Sequence, residues 1–216
     1  MPRYAHIIFD LDGTLIDSAP AILASFQAAF AAAGRSPVRS ITSDIIGPPL
    51  NETLQLLSGT ADAQVLSTLT EHFKAAYDDE GLKQTLAYPG VDAMLHALHA
   101  HGIELHIATN KRLFPTLRIL ELLGWRPLFK SVYALDMVTP RIRDKATMIE
   151  RLLDEQHIGP HQAAYVGDRL EDGEAANANA LPFFAATWGY GAIDPDALAP
   201  GWTHLATPSP DRLLAH

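Results

Sequence analysis

The 216-residue sequence contains no cysteine, so disulfide bonds and thiolate metal sites are excluded. It is also poor in basic side chains: 16 lysines and arginines are outnumbered by 25 aspartates and glutamates, and the formal net charge is −9. Nucleic acids and anionic membranes attract basic surfaces. We therefore expect neither as a partner, and a bound phosphate group would need a local cluster of donors or a metal ion.

Long apolar runs are missing as well. No segment approaches the length of a membrane span, and the residues after Met1 enter a predicted strand without the apolar core of a signal peptide. We therefore expect a cytoplasmic protein. With 48% hydrophobic and 19% charged residues, the composition is ordinary for a packed protein. The length suits one large domain, or a core with an inserted subdomain.

One stretch near the start of the chain carries an unusual pair of charges. An apolar run over residues 6–9 ends in Asp10 and Asp12, which are followed by Gly13 and Thr14. Residues i and i+2 of an extended strand share a face, so the two carboxylates can approach the same volume. They repel each other unless a cation or a proton lies between them. An ordinary strand end with an Asp-Gly turn is the alternative, and the rest of the chain must decide.

The pattern along the rest of the chain predicts the fold. Residues 16–83 show helical spacing and no convincing strand. From Tyr88 onward the pattern alternates between helix and strand. The strands predicted there cover residues 103–108, 131–135, 163–167 and 183–187. This alternation predicts an α/β fold whose parallel sheet has helices on both faces and right-handed crossovers, with a helical insertion directly after the first strand.

Polar residues follow three of the predicted strands, and a lysine begins one helix. These residues are Asp10, Asp12, Thr109, Asn110, Asp168 and Asp172, with Lys145 at the helix start. The carboxyl ends of parallel strands meet at one edge of the sheet, where ligands bind. Grouped carboxylates suit a hard cation, and Mg²⁺ is usual where phosphate is the other ligand. Thr109 and Lys145 would then bind phosphoryl oxygens, leaving one carboxylate as a nucleophile and another as a proton shuttle.

These segments resemble the four motifs of the haloacid dehalogenase-like hydrolases, in the family order and with the family spacing. Asp10-Leu11-Asp12-Gly13-Thr14 resembles the first motif, Ala108-Thr109-Asn110 the second, Lys145 the third and Gly167-Asp168-x-x-x-Asp172 the fourth. The resemblance implies a Rossmann-like parallel-sheet core formed by residues 1–15 and 84–216. It also implies an inserted helical C1 cap formed by residues 16–83, in which segment 46–50 is similar to phosphoglycolate-phosphatase-like members.

The family mechanism implies a role for each motif residue. Asp10 would be the nucleophile that forms an aspartyl-phosphate, and Asp12 would protonate the leaving oxygen and then deprotonate the attacking water. The phosphate-binding residues would be Thr109, Asn110 and Lys145. The ligands of a Mg²⁺ cofactor would be Asp10, the backbone carbonyl of Asp12, and Asp168, with Asp172 as a further ligand or as a partner of one.

Two assignments stay open at this level. Arg141 and Arg143 compete with Lys145 as the phosphate-binding cation, and Lys145 is favoured because it begins a helix with an intact apolar face. Lys111 and Arg112 follow the second motif, where they either reach the substrate or are solvated.

The resemblance predicts a phosphatase for a small phosphorylated metabolite, with phosphoglycolate as the family-level expectation. A 5′-nucleotidase and a phosphosugar phosphatase or mutase are alternatives among enzymes. An alternative of another class is a non-catalytic or phospho-regulated binding module, although the complete set of motif residues argues against lost catalysis. The sequence pattern does not indicate which oligomeric state the protein has.

Overall fold

A computed structural model describes residues 3–191 and 193–215 of the chain. Its main sheet has six parallel strands. They are β1 (His6–Phe9), β4 (Glu104–Thr109), β5 (Phe129–Ala134), β6 (Ala163–Gly167), β7 (Phe183–Ala186) and β8 (Trp202–Leu205). Their spatial order is β5-β4-β1-β6-β7-β8, so β1 lies between β4 and β6.

Helices cover both faces of this sheet. They are α4 (Val91–Ala100), α5 (Leu113–Leu122), α6 (Lys145–Gln156) and α7 (Leu170–Ala178), and a short α8 (Asp211–Leu214) ends the described chain. Ile7 of β1 packs in the cluster that contains the apolar side chains of α4 and α5, whereas Ile8 packs with those of α6 and α7. A parallel sheet buried on both faces is thus confirmed, as the alternation of helix and strand predicted.

The segment between β1 and α4 is mainly helical. It contains α1 (Ala19–Ala32), α2 (Leu50–Ser58) and α3 (Ala63–Ala76), followed by a π-helical turn (Tyr77–Gly81) and a 3₁₀ turn (Leu82–Gln84). The ring centres of Phe26 and Phe73 lie 4.6 Å apart, which joins α1 to α3. We call this segment the cap, and its division from the core at residues 16 and 83 stays a prediction.

The main differences from the sequence-based prediction concern short strands and the bounds of a longer one. Strand β2 (Ile16–Asp17) pairs antiparallel with β3 (Leu86–Ala87) at the base of the cap, within a segment predicted to contain no convincing strand. Two residues are too few to show an alternating pattern. Strand β8 was not predicted, because three of its four residues are only partly buried and leave no apolar run. Strand β5 begins and ends slightly earlier than predicted.

No helix in the described part of the chain is long and apolar enough to cross a membrane.

Candidate active site

The strand order brings the polar strand ends together. Strands β4 and β6 both run parallel to β1 as its direct neighbours, so their carboxyl ends lie side by side. Asp10 follows β1, Thr109 is the last residue of β4, and Asp168 follows β6. All three side chains are buried.

Three of the predicted metal-ligating carboxylates form one compact group. Asp10, Asp168 and Asp172 each offer an oxygen, and these oxygens lie within 4.8 Å of one another. The ammonium of Lys145 donates a hydrogen bond to Asp10 Oδ1 at 3.0 Å and another to Asp172. Asp144 caps the start of α6, because its Oδ1 accepts from the Thr147 backbone N–H at 2.8 Å. Asp144 therefore fixes the start of α6, and Lys145 lies in the first turn of this helix.

Asp168 is held by the loop after β7. Its Oδ2 accepts from the backbone N–H groups of Tyr190 and Gly191, at 2.9 and 3.0 Å, and its Oδ1 accepts from the Thr14 hydroxyl at 3.3 Å. Gly13 has a φ of +87°, and a side chain there would lie 2.9 Å or less from the Asp168 carboxylate. Glycine is therefore required for the first turn to approach this carboxylate.

Asp172 is oriented by its own helix. It is the third residue of α7, and its Oδ2 accepts from the backbone N–H of Arg169 at 3.1 Å. Its other oxygen accepts from Lys145, so the carboxylate is held from two sides. Asp172 is fully buried.

The electrostatics of the group favour an additional cation. Burial raises the pKa of Asp168 to about 8, and the carboxylates of Asp172 and Asp10 raise it as well. Burial also raises the pKa of Asp10 to about 6, although Lys145 opposes the change. Burial lowers the pKa of Lys145, but the neighbouring carboxylates more than reverse this and leave it well above its ordinary value. The ammonium of Lys145 binds two of the three buried carboxylates, Asp10 and Asp172. Such an oxygen-donor set fits a hard divalent cation.

The side chain of Asp12 lies outside this group and binds other partners. Its two oxygens accept from Lys111 Nζ at 3.0 and 3.2 Å, and Oδ1 also accepts from the Ser18 hydroxyl. Lys111, whose position sequence reasoning left open, is 6% exposed and lies 4.6 Å from the centre of the Tyr77 ring. The signal in the sequence is its position directly after the second motif. The structure therefore adds Lys111 to the site.

The two residues of the second motif make different contacts. The Thr109 hydroxyl accepts from the Lys111 backbone N–H at 3.2 Å. The Asn110 amide donates to the carbonyl of Gly47 in the cap at 3.0 Å, and its Oδ1 is buried with no hydrogen-bond partner within residues 3–191 and 193–215. Phosphate binding by Thr109 and Asn110 stays a prediction.

The rival cations are placed elsewhere. Arg141 binds Glu52 at 2.9 Å, and Arg143 binds Asp144 at 2.7 Å with 83% of its side chain exposed. Lys145 is the member of this trio that binds the buried carboxylates.

A cavity of about 70 Å³ lies between the cap and the site. Apolar side chains of the cap line one side of it, and polar side chains of the core line the other. The residues include Phe26, Ile46 and Phe73 from the cap, and Asp12, Lys111 and Arg112 from the core. Arg112 also forms a bidentate ion pair with Asp78 of the cap, so the cap is joined to the core beside the cavity.

The family model described as "Haloacid dehalogenase-like hydrolase" matches residues 7–186. The chain belongs to this family. The resemblance seen in the motifs is thereby confirmed, and the matched residues span both the cap and most of the core.

Relatives of known description point in the same direction. A phosphoglycolate phosphatase of Xylella fastidiosa is 34% identical over 187 residues, which cover 85% of this chain and 80% of the relative. A 5′-nucleotidase of Pseudomonas aeruginosa is 29% identical, covering 89% of this chain and 86% of the relative. A crystal structure from Haemophilus somnus, described as a predicted phosphoglycolate phosphatase, is 26% identical with a TM-score of 0.81, covering 94% of this chain and 95% of its own.

The family and these relatives together show that the protein is an enzyme, a hydrolase of the phosphatase type.

Proposed function

We propose that the protein hydrolyses phosphomonoesters of small metabolites, with Mg²⁺ as cofactor and an aspartyl-phosphate on Asp10 as intermediate. The observation that carries this proposal is the buried group of Asp10, Asp168 and Asp172 at the same edge of the sheet as Asp12. Lys145 binds two members of the group, Asp10 and Asp172. Phosphoryl transfer depends mainly on positioning and on the neutralisation of charge, and this group supplies both.

The reaction begins at Asp10. One of its carboxylate oxygens attacks phosphorus, so that an oxygen–phosphorus bond forms on Asp10 while the ester bond to the leaving oxygen breaks. Asp12 gives its proton to the leaving oxygen. In the second step Asp12 takes a proton from water, the water oxygen attacks phosphorus, and the bond to Asp10 breaks to release inorganic phosphate. This double use of one carboxylate as acid and then base is general acid–base catalysis.

Lys145 and Thr109 bind the oxygens of the transferring phosphoryl group. Lys145 is suited to this role because it is charged, buried and in contact with the nucleophile at 3.0 Å. Asn110 follows Thr109 directly, and its side-chain amide joins the site to Gly47 of the cap.

The carboxylates of Asp10 and Asp168 and the backbone carbonyl of Asp12 would hold the Mg²⁺ ion. Asp172 either completes this ligand set or holds Lys145 in place, because it binds that ammonium directly. The donor set fits, since three carboxylates are buried together, Lys145 binds only two of them, and the pKa values of Asp10 and Asp168 are raised. When bound, Mg²⁺ neutralises charge on the phosphoryl oxygens.

The cap supports a small substrate. The cavity beside Asp12 is small, about 70 Å³, which suits a short leaving group. A negative charge on that group would compete with Asp12 for Lys111 and with Asp78 for Arg112, which both line the core side. Phosphoglycolate has these properties, and the Xylella fastidiosa relative is a phosphoglycolate phosphatase. A nucleoside monophosphate is the second candidate, because one relative is a 5′-nucleotidase.

A panel of phosphorylated metabolites, ranked by kcat/KM in the presence of Mg²⁺, tests this proposal. The panel contains phosphoglycolate, nucleoside monophosphates and phosphosugars. Asp10→Asn should abolish turnover of every substrate, and Asp154→Asn, which changes an exposed carboxylate of α6, should retain it. Mass spectrometry of the quenched wild-type protein should find a phosphoryl group on Asp10.

Three results would count against the proposal. Full activity of Asp10→Asn would exclude Asp10 as the nucleophile. A nucleoside monophosphate at the head of the ranking would identify the second candidate, and not phosphoglycolate, as the substrate. A stable phosphoprotein with negligible turnover would instead favour a phospho-regulated binding module.

A further inference from the structure

A second group of side chains with suitable donor atoms for a metal ion lies at the opposite edge of the sheet, at the amino ends of β1 and β4. It consists of His6, Glu104 and His106, whose donor atoms all lie within 4.8 Å of one another. His6 Nδ1 lies 3.2 Å from His106 Nε2 and 3.2 Å from Glu104 Oε2. His6 and Asp10 are four residues apart, or about 13 Å along an extended strand. The group is therefore separate from the catalytic carboxylates.

The register of the sheet places these three side chains together. His6 of β1 pairs with Glu104 of β4, and His106 lies two residues further along β4 on the same face. His106 is fully buried, whereas the side chains of His6 and Glu104 are 15% and 40% exposed. The group is thus closed towards the core and open to solvent at Glu104.

The hydrogen bonding of His106 suits a metal ligand. His106 Nδ1 lies 2.8 Å from the Ser131 hydroxyl. With the Nδ1 proton donated to that hydroxyl, Nε2 presents its lone pair towards His6. A hydrogen-bond partner on the second ring nitrogen is the usual support of a metal-ligating histidine.

We propose that His6, Glu104 and His106 bind a transition-metal dication, with Zn²⁺ as the preferred ion and solvent in the fourth position. Two histidines and a glutamate are a common zinc ligand set. Zinc–ligand bonds of about 2.0–2.2 Å in a tetrahedron separate neighbouring donors by about 3.3–3.6 Å. The two separations from His6, 3.2 Å each, are close to these values, and the third, between His106 and Glu104, lies within 4.8 Å. The bound ion joins β1 to β4 and stabilises the fold by mass action.

Lys130 competes with the metal for Glu104. Its ammonium lies 2.6 Å from both carboxylate oxygens. A register shift between β4 and β5 pairs Leu105 with Phe129 but His106 with Ser131, so Lys130 is the extra residue of a bulge. The Lys130 and Glu104 side chains are 48% and 40% exposed, and such exposed ion pairs are weak. Zinc can therefore displace the ammonium, and removal of Lys130 should strengthen zinc binding.

Calorimetric titration of Zn²⁺ into the full chain, in excess Mg²⁺ to occupy the catalytic carboxylates, tests this proposal. We expect one zinc ion per chain and a higher Tm with zinc than without it. His6→Gln and Glu104→Gln should each weaken binding by about tenfold or more. Lys130→Met should tighten it several-fold, an effect that a merely structural role of these side chains does not produce. Co²⁺ in place of Zn²⁺ should show the visible absorption of a four-coordinate ion.

Two control variants separate this site from others. His96→Gln removes an exposed imidazole on α4 and should leave zinc affinity unchanged. Asp168→Asn changes a catalytic carboxylate and should also leave it unchanged. Circular dichroism verifies that each variant is folded. Equal zinc affinity in the wild type and in folded His6→Gln overturns the proposal, as does loss of the zinc ion in Asp168→Asn, since the ion would then occupy the catalytic carboxylates.

Discussion

Lys111 donates hydrogen bonds to both carboxylate oxygens of Asp12, at 3.0 and 3.2 Å. The same ammonium lies 4.6 Å from the centre of the Tyr77 ring, which belongs to the cap. Burial lowers the pKa of Lys111, but Asp12 and Tyr77 raise it, and the net pKa lies above the ordinary value. Lys111 is therefore a charged link between the proposed proton shuttle and the cap.

We expect Lys111→Met to lower kcat by about tenfold to a hundredfold, because Asp12 loses the cation that fixes its position. Steady-state kinetics with the best substrate of the panel measure the change. Lys83→Met removes an exposed lysine that binds Asp79 and Glu80, and it should have no effect on kcat. Wild-type kcat in Lys111→Met would show that Asp12 needs no such support.

The ion pair of Arg112 with Asp78 should hold the cap against the core. Both side chains are largely buried, and the pairing is bidentate. We expect Arg112→Gln and Asp78→Asn each to raise KM, and the double variant to be little worse than either single one. The coupling free energy in this double-mutant cycle should be about 1–3 kcal/mol. Additive effects on kcat/KM would contradict a role of the pair in cap closure.

Magnesium should stabilise the protein more at high pH than at low pH. The pKa of Asp168 in the fold is about 8, above its ordinary value of 3.8, so without metal the folded state loses stability as pH rises between these values. Mg²⁺ needs the ionised carboxylates and relieves their repulsion. We expect the Mg²⁺-induced rise in Tm to be about 2–4 °C larger near pH 8.5 than near pH 6.

Scanning calorimetry with Mg²⁺ and with a chelator measures this difference. Asp154→Asn should behave like the wild type, and Asp168→Asn should lose most of the response. A Mg²⁺ effect that does not depend on pH would place the ion away from these carboxylates.

The buried imidazole of His106 should make the metal-free protein sensitive to acid. Its pKa in the fold is about 4, below its ordinary value of 6.5, because burial disfavours the charged form. This contribution to stability is fully present above pH 6.5 and is lost as pH falls towards 4. The loss in the free energy of unfolding should be on the order of 2 kcal/mol between about pH 7 and pH 4.5.

Urea denaturation in the presence of a chelator measures the free energy of unfolding at both pH values. In His106→Gln the difference between them should be smaller by about that amount, whereas His99→Gln, which changes an exposed imidazole, should retain the wild-type difference. The same difference in the free energy of unfolding between the two pH values in all three proteins would mean that His106 is protonated equally in the folded and unfolded states.

The parallel sheet was predictable because its signal is local. Apolar runs separated by helical spacing identify buried strands such as β1 and β6, and the residues after them must meet at one edge. In the structure, carboxylate oxygens of Asp10, Asp168 and Asp172 do lie within 4.8 Å of one another. Their roles as metal ligands stay predictions, as does the role of Asp10 as nucleophile.

The short strands were not predictable in the same way. Strand β2 has two residues, and the pairing with β3 depends on a partner about 70 residues later in the chain. Strand β8 has only one fully buried residue, Leu205. Neither leaves the alternating pattern on which a sequence-based prediction rests.

The sequence by itself determined the fold class, the family and the set of acidic residues at the strand ends, because these follow from periodicity and short motifs. Only the tertiary structure decided that Lys145, and not Arg141 or Arg143, binds the buried carboxylates. It also decided that Lys111 binds Asp12 and that His6 meets His106 across two strands. These contacts join residues about 100 or more positions apart, so they depend on strand order, register and cap packing, which no local pattern encodes.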